Sequence, residues 1–204
     1  MIKLFKERKI DYAFQIANNS IIQKINNISD YQIMEEDIDA LAKKISEEKK
    51  INPIEVDYDS REGKLVNENV SGMKFPRDYD IGPDESMVCA KSVYSFKVSG
   101  DLELFSLEPK GMIFNKKVDA KINGSYLKLE YQTFSQKPLR EDKINEVKES
   151  IRETIDLMKK IIPVINNEVT EYNATIEKKA KGILEKRMEQ VKSEQNQDDE
   201  INNL

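Results

Sequence analysis

Apolar residues recur at steps of three and four in the first part of the chain. Ile10, Phe14, Ala17, Ile21, Ile25 and Ile28 fall on one stripe, which predicts a helix over residues 4–28. Ser29-Asp30 reads as a break. A second helix, over residues 35–49, places Met34, Ile38, Leu41, Ala42 and Ile45 on one side. Its acidic start and its Lys49-Lys50 end suit the helix dipole, and Asn52-Pro53 stops it.

The period then changes to two. Ile54, Val56 and Tyr58 alternate with Glu55 and Asp57, a short strand with one wet face. Residues 59–86 are polar and broken by Gly63, Gly72, Pro76, Gly82 and Pro83, which predicts a long loop with room for short strands. Residues 87–98 form the clearest long strand, with Val88, Ala90, Tyr94, Phe96 and Val98 on one face, and residues 102–107 read as another. Asn123-Gly124 is a hairpin signal. With those two residues as the loop, Ile122 faces Ser125, Ala120 faces Leu127 and Val118 faces Leu129. The opposite face pairs Lys121 with Tyr126, Asp119 with Lys128 and Lys117 with Glu130.

Everything after Pro138 reads as helix. Ile144, Ile151, Met158, Ile165 and Tyr172 form one heptad series, and Ile155, Ile162, Val169, Ile176 and Ile183 the interleaved one. The pattern stays in phase through Pro163, where a kink is expected. Residues 139–192 would span roughly 80 Å at 1.5 Å per residue. The polar, acidic residues 193–204 read as a disordered tail. The predicted class is therefore α+β: an antiparallel β-sheet domain flanked by N-terminal helices and a long C-terminal amphipathic helix. Four consecutive segments are expected, at 1–50, 51–138, 139–192 and 193–204.

Composition narrows the chemistry. With no histidine, a Ser-His-Asp triad and a histidine-ligated zinc are excluded within this chain. A single cysteine, Cys89, excludes an internal disulfide and fits a reducing, cytoplasmic setting. No apolar run approaches the ~20 residues that span a bilayer, so no membrane association is expected. The net charge of -5, with 33 basic and 38 acidic residues, speaks against a general nucleic-acid binder. No glycine-rich phosphate loop is present, and no cofactor is expected.

Two motifs carry candidate chemistry. Asp57-Tyr58-Asp59 with Glu62 and Gly63 approximates a calcium loop, but Arg61 takes a ligand position and the glycine comes one residue late. Pro83-Asp84 followed by Asp119-Ala120-Lys121 matches the loose pattern of a metal-dependent nuclease, in which carboxylates hold a divalent ion and a lysine helps to activate water. Asp84, Asp119 and Lys121 are that alternative's site residues. The leading expectation is no catalytic site and no bound metal.

The run Val98-Ser99-Gly100-Asp101-Leu102-Glu103-Leu104-Phe105, followed by a hairpin and a long helix with Asn166-Asn167-Glu168-Val169 and Tyr172-Asn173, resembles an accessory module of bacterial defence proteins. In that family the module is attached to, or encoded with, effectors such as nucleases or TIR domains. The resemblance covers about the last half of the chain and implies sensing or regulation by contact. The heptad stripe points the same way. Ile151, Ile155, Met158, Ile162, Ile165, Val169, Tyr172, Ile176 and Ile183 make a seam longer than the N-terminal helix can cover, and a bare seam is costly in water. The expectation is a non-catalytic interaction module that uses this coiled-coil-like helix to form a homodimer or to dock a protein partner.

Overall fold

Alternation over residues 86–99 builds the strand at the heart of a five-stranded sheet. The computed structural model describes residues 1–112 and 118–202. The chain folds as two units. One combines Met1–Arg8 with Ile54–Val164; the other combines Lys9–Pro53 with the chain from Ile165 onward. Both are discontinuous, so they do not follow the four consecutive segments expected from the sequence.

In the first unit the five-stranded sheet is built from β1 (Ile2–Lys3), β2 (Glu55–Ser71), β3 (Ser86–Ser99), β4 (Asp119–Asn123) and β5 (Tyr126–Gln132). They lie in the order β1-β4-β5-β3-β2, every neighbouring pair antiparallel. This is the α+β class with an antiparallel sheet. Phe96 lies opposite Leu127 and Tyr94 opposite Leu129, and with Ala120 they form an apolar face on which Phe96, Leu127, Leu129 and Ala120 are buried.

Two local readings are corrected. The expected loop over 59–86 is strand as far as Ser71, the end of β2, and loop with one 3₁₀ turn from Gly72 to Glu85. The polar sequence of β2 reflects an edge position, where most side chains stay wet. The calcium-like segment is a register shift in β2 between Asp57 and Glu62. There Asp57 Oδ1 accepts from the Asp59 and Ser60 amides, both at 3.1 Å, so the carboxylate serves its own turn. Of the expected strand at 102–107 only Leu107 is strand, in the short segment Leu107–Glu108; Leu102–Ser106 is a 3₁₀ helix that buries Leu104 and Phe105, two adjacent side chains that a strand would point to opposite faces.

The β4–β5 hairpin forms, but its register differs from the one expected. Asn123 faces Tyr126, Ile122 faces Leu127, Lys121 faces Lys128 and Ala120 faces Leu129. The loop is Gly124-Ser125, with positive φ at Gly124 (56°) and not at Ser125, the pattern of a type II′ turn. Asp119 therefore does not face Lys128; it faces Lys3 of β1. Lys117, the expected partner of Glu130, lies outside the described residues. Moving the loop by one residue changes each pairing by two, so each residue keeps its face.

The second unit holds helices α1 (Asp11–Asn26), α2 (Asp30–Glu35) and α3 (Ile38–Lys49). Ser29 caps α2 by accepting from the Gln32 amide, and Asp37 caps α3 by accepting from the Asp39 amide. The first helix starts at Asp11, not at residue 4, because the preceding backbone belongs to the sheet unit: the Leu4 amide donates to the Val118 carbonyl and the Phe5 amide to the Phe105 carbonyl. Helix α4 (Glu141–Asn202) runs through Pro163 and past Lys192. The stretch 193–202, expected as disordered tail, is helical and contains neither glycine nor proline to stop it.

Candidate functional site

The heptad seam of α4 is core. In the sheet unit Ile151, Ile155, Met158 and Ile162 are buried; in the helical unit so are Ile165, Val169, Tyr172 and Ile176, while Ile183 is half-buried. This corrects the premise of a bare seam. The sequence reading allowed only one covering helix, whereas each half of α4 finds its own cover. The first half lies on the sheet's apolar face, where the Tyr131 hydroxyl donates to Glu146 Oε1 at 2.6 Å and Lys159 Nζ sits 5.1 Å from the Tyr58 ring centre. Burial, with Glu146 beside it, pushes the Tyr131 hydroxyl up to about 12.

The second half is clasped by all three short helices. Phe14 of α1 stacks on Tyr172. Asp30 of α2 pairs with Arg187, and Asp39 of α3 with Lys181. Asn173 holds the segment after α3 through both edges of its amide: the Ile51 N–H donates to Oδ1 at 3.1 Å, and Nδ2 donates to the Ile51 carbonyl at 2.8 Å.

What α4 leaves open lies further on. Among the described residues Val191 is the last buried one, and every residue from Lys192 to Asn202 is exposed, including Ile201 at 66%. Before it, α1 and α4 form a groove of about 370 Å³. Ile21, Ile22, Gly182 and Ile183 supply its floor, and Lys178, Lys179 and Lys186 its rim. A Cβ added at Gly182 would meet nothing within 4 Å, so no packing inside the chain explains this glycine.

The other concave feature is polar and lies on the opposite face of the sheet, a cleft of about 510 Å³. Lys91 on β3 is its centre, with Nζ 3.0 Å from Glu68 Oε2 and 3.1 Å from Glu130 Oε2. Lys121 bonds the other Glu130 oxygen at 2.7 Å. Burial alone would lower the Lys91 pKa, but its bonds to the two glutamates outweigh that and raise it. Burial likewise opposes ionisation of Glu130, and the two lysines overcome it and hold the carboxyl low.

Of the nuclease residues, Asp119 and Lys121 line this cleft and Asp84 does not. Glu68 and Glu130, the cleft's other carboxylates, are each bound by an ammonium. Among the described residues no group of three acidic, histidine or cysteine side chains is placed to hold a metal ion. Cys89, fully buried in β3, has its thiol pushed up by burial.

Lys91 and Glu68 went unnoticed in the sequence, and Glu130 was paired there with Lys117 alone, because the proximity of the three depends on the β2–β3–β5 register. Gly182 could have been found, since a lone glycine in a heptad helix is unfavourable by about 1 kcal/mol relative to alanine. Among the described residues no helix is long and apolar enough to cross a membrane. Comparison with protein-family models, curated proteins and solved structures gives no match.

Proposed function

We propose that the chain is a non-catalytic protein-interaction module that docks through the C-terminal half of α4, in the role of sensor or regulatory partner that its resemblance to a defence-associated module implies. The observation that carries this reading is the helix beyond Val191. It holds its form with every side chain in solvent through Asn202. A polar helical segment of this length is marginal in water without a surface to pack on. Its single apolar residue, Ile201, is left uncovered. Such a segment gains order on contact, which suits a docking element and serves no purpose in the fold of its own unit.

A photo-crosslinking residue at Gln197 tests this in cells. Adducts to protein are expected at position 197 and not at the exposed Arg152. A chain that yields no adduct from 197 would refute the docking role. Magnesium-dependent cleavage of DNA that disappears in Asp119→Ala would refute the non-catalytic one.

A further inference from the structure

We infer that the groove at Gly182 receives the acidic end of α4 from a second copy of this chain, the two helices running antiparallel about a two-fold axis beside Gln190. This rests on the docking role proposed above and goes further by naming the occupant and its register.

Three observations converge on it. The first is helical phase. Lys179, Ile183, Lys186, Gln190, Ser193 and Gln197 alternate at steps of four and three, so the groove and the exposed end of α4 lie along one face. Val191, Leu184 and Ala180 are buried on a different one. The second is charge. The groove's rim carries Lys178, Lys179 and Lys186, all exposed, whereas the end of the helix carries Glu194, Asp198, Asp199 and Glu200. A helix basic at one end of a face and acidic at the other is complementary to an inverted copy of itself. The third is space. Gly182 leaves a notch with nothing within 4 Å of where a side chain would begin, and a helix without a side chain at one point lets a neighbour approach closely there.

An axis beside Gln190 fixes the partners. Lys186 comes opposite Glu194 of the second copy, and Gly182 opposite its Asp198. Lys179 comes opposite its Ile201, the exposed apolar residue, which can lie under the lysine stem. By symmetry every contact occurs twice, which is what a closed two-fold interface requires. Parallel alignment would instead stack lysine on lysine and carboxylate on carboxylate.

Charge exchange tests the pairing, with self-association read by sedimentation of the full chain. Wild type is expected to be a dimer whose dissociation constant rises with salt. Lys186→Glu alone and Glu194→Lys alone should each weaken the dimer by about tenfold or more, since each turns two attractions into repulsions. Mixing the two single variants should restore it, because every opposed pair is then of opposite sign. Gly182→Leu provides a control on folding. It should abolish the dimer by filling the notch while leaving the thermal midpoint unchanged or raised, as leucine is the better helix former.

A wild type that stays monomeric at high micromolar concentration would overturn the inference, as would single exchanges without effect or a mixture no tighter than its components. Crosslinks from position 197 to a different protein would overturn the second copy as occupant and leave the docking role standing. Absence of any crosslink would remove both.

Discussion

The rings of Phe14 and Tyr172 stack with centroids 4.4 Å apart and planes 5° from parallel, and the Tyr172 hydroxyl donates to Asn18 Oδ1 at 2.9 Å. Tyr172 of α4 thus holds α1 at two residues far away in sequence, by its ring on Phe14 and by its hydroxyl on Asn18. Phe14→Ala should cost about 3–5 kcal/mol, the usual range for emptying a buried aromatic site. Tyr172→Phe, which keeps the stack and loses the hydroxyl, should cost about 1 kcal/mol. A double-mutant cycle on Phe14 and Tyr172 by urea unfolding should show coupling of about 0.5–1.5 kcal/mol; no coupling would mean the stack adds nothing beyond burial.

Lys91 sets a pH window for stability. The Glu130 pKa is lower folded than unfolded, so its contribution is present above the ordinary carboxylate range and is lost as pH falls through the folded value. The Lys91 pKa is raised, so its contribution is present below the ordinary lysine range and is lost as pH rises through the folded value. Lys91→Met should leave Glu68 and Glu130 without their shared ammonium and cost about 2–4 kcal/mol near neutrality, since both Lys91 and Glu130 are mostly buried. It should also flatten the acid limb of a denaturation-versus-pH curve; an unchanged acid limb would contradict the assignment.

Asn173 works through two opposite polarities, one donor and one acceptor. Asn173→Asp keeps the shape and the acceptor but sets an oxygen against the Ile51 carbonyl. It should therefore destabilise at neutral pH at least as much as Asn173→Ala, by about 1–3 kcal/mol. Acidifying toward the carboxylate range should partly rescue the aspartate variant, because a protonated carboxyl can donate. Thermal melts at two pH values separate the cases.

The hairpin register can be checked at its loop. Gly124→Ala should cost about 1 kcal/mol, the penalty for a side chain at positive φ. Asn123→Thr should be neutral or stabilising, because Asn123 is a strand residue opposite Tyr126. The register expected from sequence, with Asn123 inside the loop at positive φ, predicts the reverse for threonine.

How much was legible follows from which information is local. Helical phase is local, so α3 and the seam of α4 could be read directly from Ile38, Leu41 and Ile45 and from the isoleucines after Ile144. Strand faces are local too, which is why Ala120, Leu127 and Leu129 fall on the expected side even though their partners shifted. Pairing is not local. The polar run 59–71 reads as loop until β3 is placed beside it, and Lys91 looks like any other lysine until Glu68 and Glu130 arrive from two other strands. Cover is the least local of all. That Ile151 and Tyr172 lie in different units, each with its own cover, is not written in a heptad that passes through both.

The position of β2 has a consequence for how the protein behaves when crowded. Among the described residues it closes the sheet order with a neighbour on one side only, and it is 17 residues long. Such a strand is a template on which further chains could add and grow into cross-β fibrils. Its sequence blocks that growth: Glu55, Asp57, Arg61, Glu62, Lys64 and Glu68 put charge along it, and the shift between Asp57 and Glu62 interrupts the ladder a newcomer would copy. The protein should therefore remain free of thioflavin-positive aggregates on prolonged incubation, and removing the charges from 61–64 should shorten the lag before they form.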